Sequence, residues 1–460
     1  MKKKLVSAIL TAALSVSLLA GCGGSSETAN SEITATTKES NTEAVSDVET
    51  SNEDTQDASA EAAGEEKLTV WCWDPAFNIN AMNKAAELYQ KDHPNFVLEV
   101  LETPWEDVQT KLTTAATSGN LDTLPDILLM QDAAFQKNVI SYPNAFTNLT
   151  DKLDYSQFSS GKVSFSTVDG MNFGVPFDNG AVIASYRTDL LEQAGFTISD
   201  FENITWSEFI EKGKVVLEKT GKPMLSCVGG ESDIIVMMLQ SAGGGFFNDE
   251  NLAQIVDNAI LEEVMSTYAE LVKSGVLVEV NDWDSYIGTL NSGTVAGTMA
   301  GCWIMASIQA ADDQAGNWAI TNMPRLDNAA TATNYANQGG SSWAITSNCK
   351  NIDLAVDFMG STFGGSVEFY ESILDTGAIA CYLPAGESDM YGKANDFFGG
   401  DAVYAKIIEF AGNIPECETG VYFYEARDAV ATAITNIVSG SDVASELQMA
   451  QDTVNFSMGR

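Results

Sequence analysis

The 460-residue chain predicts an α/β protein of two units, each a sheet flanked by helices. Three observations carry this reading. Strand-like and helix-like stretches alternate between residues 67 and 132, which is the grammar of a parallel sheet covered on both faces. The alternation resumes after the middle of the chain. The stretch from residue 67 to 460 is also long enough, with ordinary apolar content, to fill two cores.

Taken in order, "KLTVWCW" predicts a first strand, and Met82, Ala85, Ala86 and Tyr89 in "NAMNKAAELYQKDH" fall at helical spacing. "FVLEVLE" predicts a second strand. A helix follows that runs to Gly119, with Thr103 as its cap, Pro104 at its first position and Glu106 closing a capping box. "PDILLMQD" predicts a buried strand ending at Asp132. Beyond the middle, Thr205 and Glu208 form a second capping box at a helix stopped by Gly221, and a further amphipathic helix stops at Gly275. "TVAGTMAG" and "SSWAITS" predict strands, and "NIDLAVDFMGS" and "YEARDAVATAITNIVSG" predict helices.

Ahead of these elements the chain opens with three lysines, an apolar run over residues 5–20 and small residues before Cys22. This is a secretory signal, too short for a membrane-spanning helix, and Leu19-Ala20-Gly21-Cys22 resembles the box after which bacterial lipoproteins are cut and lipidated. Residues 1–22 are therefore expected to be a lipoprotein signal with Cys22 as the anchor; the plainer alternative is a cleaved signal with an incidental cysteine. Residues 23–66 are acidic, rich in Ser and Thr, and hold no aromatic residue. Such a segment buries too little apolar surface to offset its chain entropy and is expected to be a disordered tether.

Composition excludes several function classes. With 64 acidic against 23 basic side chains the formal charge is -41, so nucleic acid is repelled rather than bound. One histidine, His93, sits before Pro94 at an expected exposed helix end, and the cysteines form no CxxC or Cys/His pairing. Neither a zinc site nor a histidine-based triad is expected, and no cofactor is. Buried thiols are expected rather than disulfides.

In open α/β sheets ligands sit beyond the carboxyl ends of strands. Four predicted strand ends combine rings with amides or carboxylates: Trp73, Asp74, Phe77 and Asn78; Gln131 and Asp132; Phe177, Asp178 and Asn179; Gly301 and Trp303. Two later segments repeat the theme, with Gln338, Gly339, Gly340 and Trp343 in one and Tyr422, Phe423, Tyr424, Glu425 and Arg427 in the other. A pyranose suits this set, because its C–H face lies flat on a ring and its hydroxyls pair with planar amides and carboxylates. Each residue has a blander reading. Trp71 and Trp206 are expected in the core, Asp178-Asn179 reads equally as a turn, and Trp303 as a helix start.

Six segments in order resemble the extracellular solute-binding proteins of ABC importers, in the carbohydrate-binding branch that includes maltose-binding protein. They are "YQKDHPNFVLEV", "PDILLMQDAAF", "MNFGVPFDNGAVIASYRTDLLEQAG", "LQSAGGGFFND", "GTMAGCWIMASI" and "GGSSWAITSNCKNIDLAVDFM". The resemblance implies a two-lobed periplasmic-binding-protein-like fold of type II, closing over a sugar. Lobe 1 would comprise residues 67–177 and 329–377, and lobe 2 residues 178–328 and 378–460. It implies a monomer outside the cell membrane that binds a carbohydrate, hands it to membrane permease subunits and catalyses nothing. By matching positions, Asp74, Asp132 and Asp178 or Asn179 would bind hydroxyls, and Trp303 and one of Phe423 and Tyr424 would stack on the sugar; Trp73, Asn78 and Gly340 join them as expected ligand contacts from the strand-end reading. The register is shifted at Asp178-Asn179, and the aromatic order differs over residues 420–425, so a maltodextrin is not implied. The rivals are a polyamine or other cationic solute in the same fold, and a surface glycosidase, for which no carboxylate pair stands out.

Overall fold

A computed structural model describes residues 66–248, 250–415 and 419–460. The expected signal with Cys22, residues 23–65 of the expected tether, and Cys417 lie outside the described residues. In chain order the first strands are β1 (Glu66–Cys72), β2 (Phe96–Glu102), β3 (Ile127–Gln131), the short β4 (Thr167–Val168) and β5 (Met171–Asn172), β6 (Gly174–Asn179) and β7 (Val182–Arg187). They are followed by β8 (Leu225–Val228), β9 (Leu277–Val280), β10 (Gly297–Gly301), β11 (Trp318–Thr321), β12 (Ser341–Ile345) and β13 (Ile379–Ala380).

Six of them make one sheet in the order β13-β6-β12-β3-β1-β2. β1 is parallel to β2 and β3, as the alternation over residues 67–132 predicts. β12 runs antiparallel to β3 and β6, and β13 antiparallel to β6. β12 enters from the other half of the molecule and not through a helix laid on the sheet, so nothing imposes the parallel direction on it, whereas β13 follows β12 through the helices Ile352–Ser361 and Val367–Ser372, which pack in the first core, and points the same way as β12. The second half holds the antiparallel sheet β10-β7-β11 and the parallel pair β8-β9. The chain passes from the first sheet to the second between β6 and β7, returns between β11 and β12, and leaves again after β13.

Strand alternation sorts the first core. Val70, Leu129 and Trp343 fall in one cluster, and Trp71, Leu128 and Ala344 in the cluster on the opposite face. Trp71 and Trp206 are core residues as expected, and Phe177 and Trp343 are fully buried, which removes both from any ligand surface. The helices Phe423–Val438 and Val443–Ser457 pack into the core of the second half.

The box at Thr205 and Glu208 is formed, and Gly221 ends that helix at φ +71°. The box at Thr103 is not. Pro104 is the N-cap of the helix Trp105–Ser118, and Thr103 instead donates to the Leu101 carbonyl at 3.1 Å. Because Pro104 sits one position earlier than expected, Glu106 falls in the first turn but out of reach of a reciprocal cap. His93 is partly buried, stacked on Tyr89 at 3.9 Å. Cys72, Cys227, Cys302, Cys349 and Cys381 are free thiols.

Candidate functional site

Two adjoining cavities open where the ends of β3, β8, β10 and β12 converge. The larger encloses about 880 Å³ of space, including some open to solvent, and the smaller about 440 Å³. Asp233 and Gln338 line both. The Gln338 amide donates to Asp233 Oδ2 at 2.8 Å, so a hydrogen-bonded pair separates them.

Gln338 is held on every side. Its N–H donates to the Gly180 carbonyl at 2.7 Å, its Oε1 accepts from Gly301 N at 2.9 Å, and its carbonyl accepts from Trp303 Nε1 at 3.0 Å. That close approach requires glycine at position 301, where a Cβ would collide with both Gln338 and the Trp303 indole. The Trp303 ring is thereby fixed by its edge, and it lines the smaller cavity. Trp283 lies beside it at 5.7 Å and 41°.

The larger cavity takes Gln131 and Asp132 from the end of β3, Gly339 and Gly340 from the turn before β12, and Phe423, Tyr424 and Arg427 from the start of the last long helix pair. Tyr424 donates to Gln131 Oε1, and the Arg427 guanidinium lies over the Tyr424 ring at 5.6 Å. Arg427 also faces Asp233 at 3.6 Å. Lys137, one helical turn beyond Ala133 of the cavity wall, pairs with Glu425. The helix beginning at Phe423 thus packs into the second core while its first turn is gripped by the first half.

Beneath this cavity lies a buried charge cluster. Lys162 pairs with Asp132 and donates to the Ser341 carbonyl at 2.8 Å, while Asp132 accepts from Ser342 Oγ at 3.0 Å. Asp178 accepts from both Ser341 N and Ser341 Oγ, at 2.9 and 2.6 Å. Burial raises both carboxyls above the usual range against the pull of Lys162. Burial disfavours the Lys162 charge as well, but Asp132, then Cys381 and Asp178, hold its pKa above the ordinary value. Gly340, at φ +97°, brings the backbone against this cluster; a Cβ there would stand 2.6 Å from Asp132 Oδ2.

Of the residues singled out from the sequence, Asp132, Gly340, Phe423 and Tyr424 meet in the larger cavity and Trp303 in the smaller. Asp178 lies below the floor, 2 % exposed. Asn179 is partly buried at the end of β6, its carbonyl accepting from Cys302 Sγ at 3.4 Å. Trp73, Asp74 and Asn78 line neither cavity. Asn78 is buried and its Oδ1 accepts from the N–H groups of Trp73 and Asp74, both at 3.0 Å. Asp74 Oδ1 in turn accepts from Ala76 N and Phe77 N, and these bonds shape the entry to the helix Asn78–Tyr89. Trp73 packs at 5.4 Å on Trp105, which stands 6.2 Å from Tyr424, so this ring reaches the larger cavity only through two others. The sequence reading missed Asp233, Phe246 and Trp283. Asp233 and Trp283 each follow a strand end, in "CVGGESD" and "VEVNDWD", the same signal used elsewhere. Among the described residues, no group of three or more His, Cys, Asp or Glu could hold a metal ion.

Comparison with known proteins agrees with this architecture. The model for bacterial extracellular solute-binding proteins matches residues 84–391. A lactose-binding protein of Rhizobium radiobacter is 38 % identical over 396 residues, 86 % of this chain and 93 % of that one. Among solved structures, the ABC-transporter-associated binding protein of B. animalis subsp. lactis, in complex with β-1,6-galactobiose, superposes with a TM-score of 0.72. It shares 21 % identity over 86 % of this chain and 97 % of its own. The galacto-N-biose/lacto-N-biose I-binding protein of Bifidobacterium longum gives 0.69 at 20 % identity, covering 86 % and 98 %. The fold is therefore the two-lobed α/β fold of these proteins. The chain belongs to the bacterial extracellular solute-binding proteins, and it is a binding protein, not an enzyme.

Proposed function

We propose that this protein captures a small oligosaccharide, in first place a galactose-containing disaccharide, between its lobes and delivers it to the permease of an ABC importer. The observation that carries the reading is the pair of cavities joined at Asp233 and Gln338, whose walls combine rings, planar amides and carboxylates. Rings offer faces to the C–H surface of a sugar, and the polar groups meet its hydroxyls. The relatives supply the sugar class, since lactose, galactobiose and lacto-N-biose all contain galactose.

The cationic alternative meets a cation already in the site, since Arg427 acts on both Asp233 and Glu231, the carboxylates of the smaller cavity. Asp132 is already paired with Lys162, and Asp233 faces Arg427, which would itself repel a polyamine. The direct contacts are assigned to Asp132, Trp303, Gly340, Phe423 and Tyr424, joined by Asp233, Trp283, Gln338 and Arg427. Asp178, Asn78 and Asp74 act behind them. The lobes divide at the three passages between sheets, with the short β13 completing lobe 1. Cys22 carries the lipid that holds the protein at the outer face of the membrane.

A thermal-shift screen over saccharides, polyamines and amino acids tests the class. A ligand that binds only the folded form at 100 times its dissociation constant adds about 2.7 kcal/mol, so saccharides should raise Tm and polyamines should not. A rise confined to polyamines would overturn the reading.

A further inference from the structure

The three passages between the sheets meet at one buried ammonium. Lys162, 4 % exposed, stands in the short helix Ser160–Ser164 and pairs with Asp132, just past β3. It also donates at 2.8 Å to the carbonyl of Ser341, the first residue of β12 and the landing point of the returning passage. Ser341 in turn donates through N and Oγ to Asp178, near the end of β6, where the outgoing passage begins. Ala380 of β13 pairs in register with Asp178, and the Cys381 thiol beside it lies within electrostatic reach of Lys162. The same groups shape the larger cavity. Asp132 and Gly340 line it, Asp132 N donates to the Gly340 carbonyl at 3.0 Å, and Phe165, just past the Lys162 helix, is part of the wall. Gly339 and Gly340 lie at φ +85° and +97°, a region other residues rarely adopt. Their turn is held from one side by Ser341, bonded to Lys162 and Asp178, and from the other by Gln338, bonded to Gly180. Lys162 itself lines neither cavity.

Resting on the carbohydrate reading, we propose that Lys162 is a positioning residue for capture: without touching the sugar, it holds Asp132 and the Gln338–Gly340 turn in the geometry that meets it. Its charge does this. Two carboxyls and one ammonium share a site closed to water, and the ammonium draws Asp132, Asp178 and the Ser341 carbonyl to one point. Without it nothing ties Asp132 to Ser341, and the two carboxyls repel each other once ionised. The role therefore has a pH signature. Lys162 pulls both carboxyls down against the burial that raises them, so in its absence they titrate higher still and become unpaired buried charges as pH rises. The other titratable groups in reach of the cluster are the Cys302 and Cys381 thiols and the Tyr370 and Tyr424 phenols. Burial pushes all four up, and they stay protonated.

The test is calorimetric titration of the full chain with lactose, or with whichever disaccharide binds in its place, at about pH 5 and about pH 8. Each variant is compared with the parent at the same pH, which cancels the titration of Glu231 in the smaller cavity, raised to about 6. Lys162→Met should bind ~10-fold more weakly than the parent at the lower pH and at least ~30-fold more weakly at the higher. Phe358→Leu, which loosens the first core beside Tyr89 and Phe96, should keep the parent's affinity at both. Should Lys162→Met not fold, its combination with Asp178→Asn removes one carboxylate along with the cation. That double variant should still bind at least ~10-fold more weakly than Asp178→Asn alone. Parent-like affinity of Lys162→Met, a deficit that does not grow with pH, a deficit of the same size in Phe358→Leu, or equal affinity of the double and single variants would each overturn the role while leaving carbohydrate capture intact. Absence of binding by the parent to every saccharide would overturn the carbohydrate reading itself.

Discussion

Replacing Trp303 separates what its ring does for the ligand from what it does for the fold. The side chain is partly buried, donates to Gln338 at 3.0 Å and packs against two hydrophobic cores. In Trp303→Ala the lost sugar face should weaken binding by about 2 kcal/mol, or roughly 30-fold. The fold also loses a hydrogen bond worth about 1 kcal/mol and part of a packed ring. Total destabilisation should therefore be about 2 kcal/mol, below the roughly 3–5 kcal/mol of a fully buried ring. Trp303→Phe keeps a stacking face and drops only the N–H, so it should recover most of the affinity while remaining about 1 kcal/mol less stable. Urea unfolding and calorimetric titration of both variants give the four numbers. The reasoning fails if Trp303→Ala loses the full stability of a buried ring and binds the sugar as the parent does.

The charge cluster and the turn above it give further expectations. Lys162→Met leaves two buried carboxylates without their cation and should destabilise the protein by about 3–5 kcal/mol in urea unfolding. Gly340→Ala forces a side chain into a sparsely populated backbone region against Asp132 and should lower stability by about 1–3 kcal/mol, with weaker sugar binding in the same titration. Because the Asp132 and Asp178 carboxyls are raised in the folded state above the unfolded value of about 3.9, the native protein holds more protons between those limits. Stability from this cluster therefore falls as pH rises through that window. Asp178→Asn, which retains an acceptor for Ser341, should flatten the slope of unfolding free energy against pH from 4 to 7. Cys22→Ala should move the protein from the membrane fraction to the soluble one on cell fractionation.

Much of lobe 1 was legible in the sequence because its strands are long, apolar and separated by helices with strong periodicity. β1, β2 and β3 and their parallel pairing follow from residues 67–132 alone. In lobe 2, β8 and β9 are four residues each, too short to show a period, and without them the strand-end rule had no place to point. Asp233 and Trp283, which follow those strands, were missed for that reason. Asn78 failed differently. Its amide serves the backbone of Trp73 and Asp74, a local use that looks in sequence like a polar group at a strand end. Trp303 was legible because Gly301 before it marks a close approach, and Gln338 is what approaches.

The central claim is that a sugar is held between the lobes at Asp233 and Gln338. Its most direct measurement is the calorimetric titration of Asp233→Ala beside the parent protein, with lactose and with spermidine. The account predicts one saturable site for the saccharide in the parent, a site weakened by at least ~10-fold in the variant, and no saturable heat with spermidine in either. Equal sugar affinity in both proteins, or saturation by spermidine alone, would contradict it.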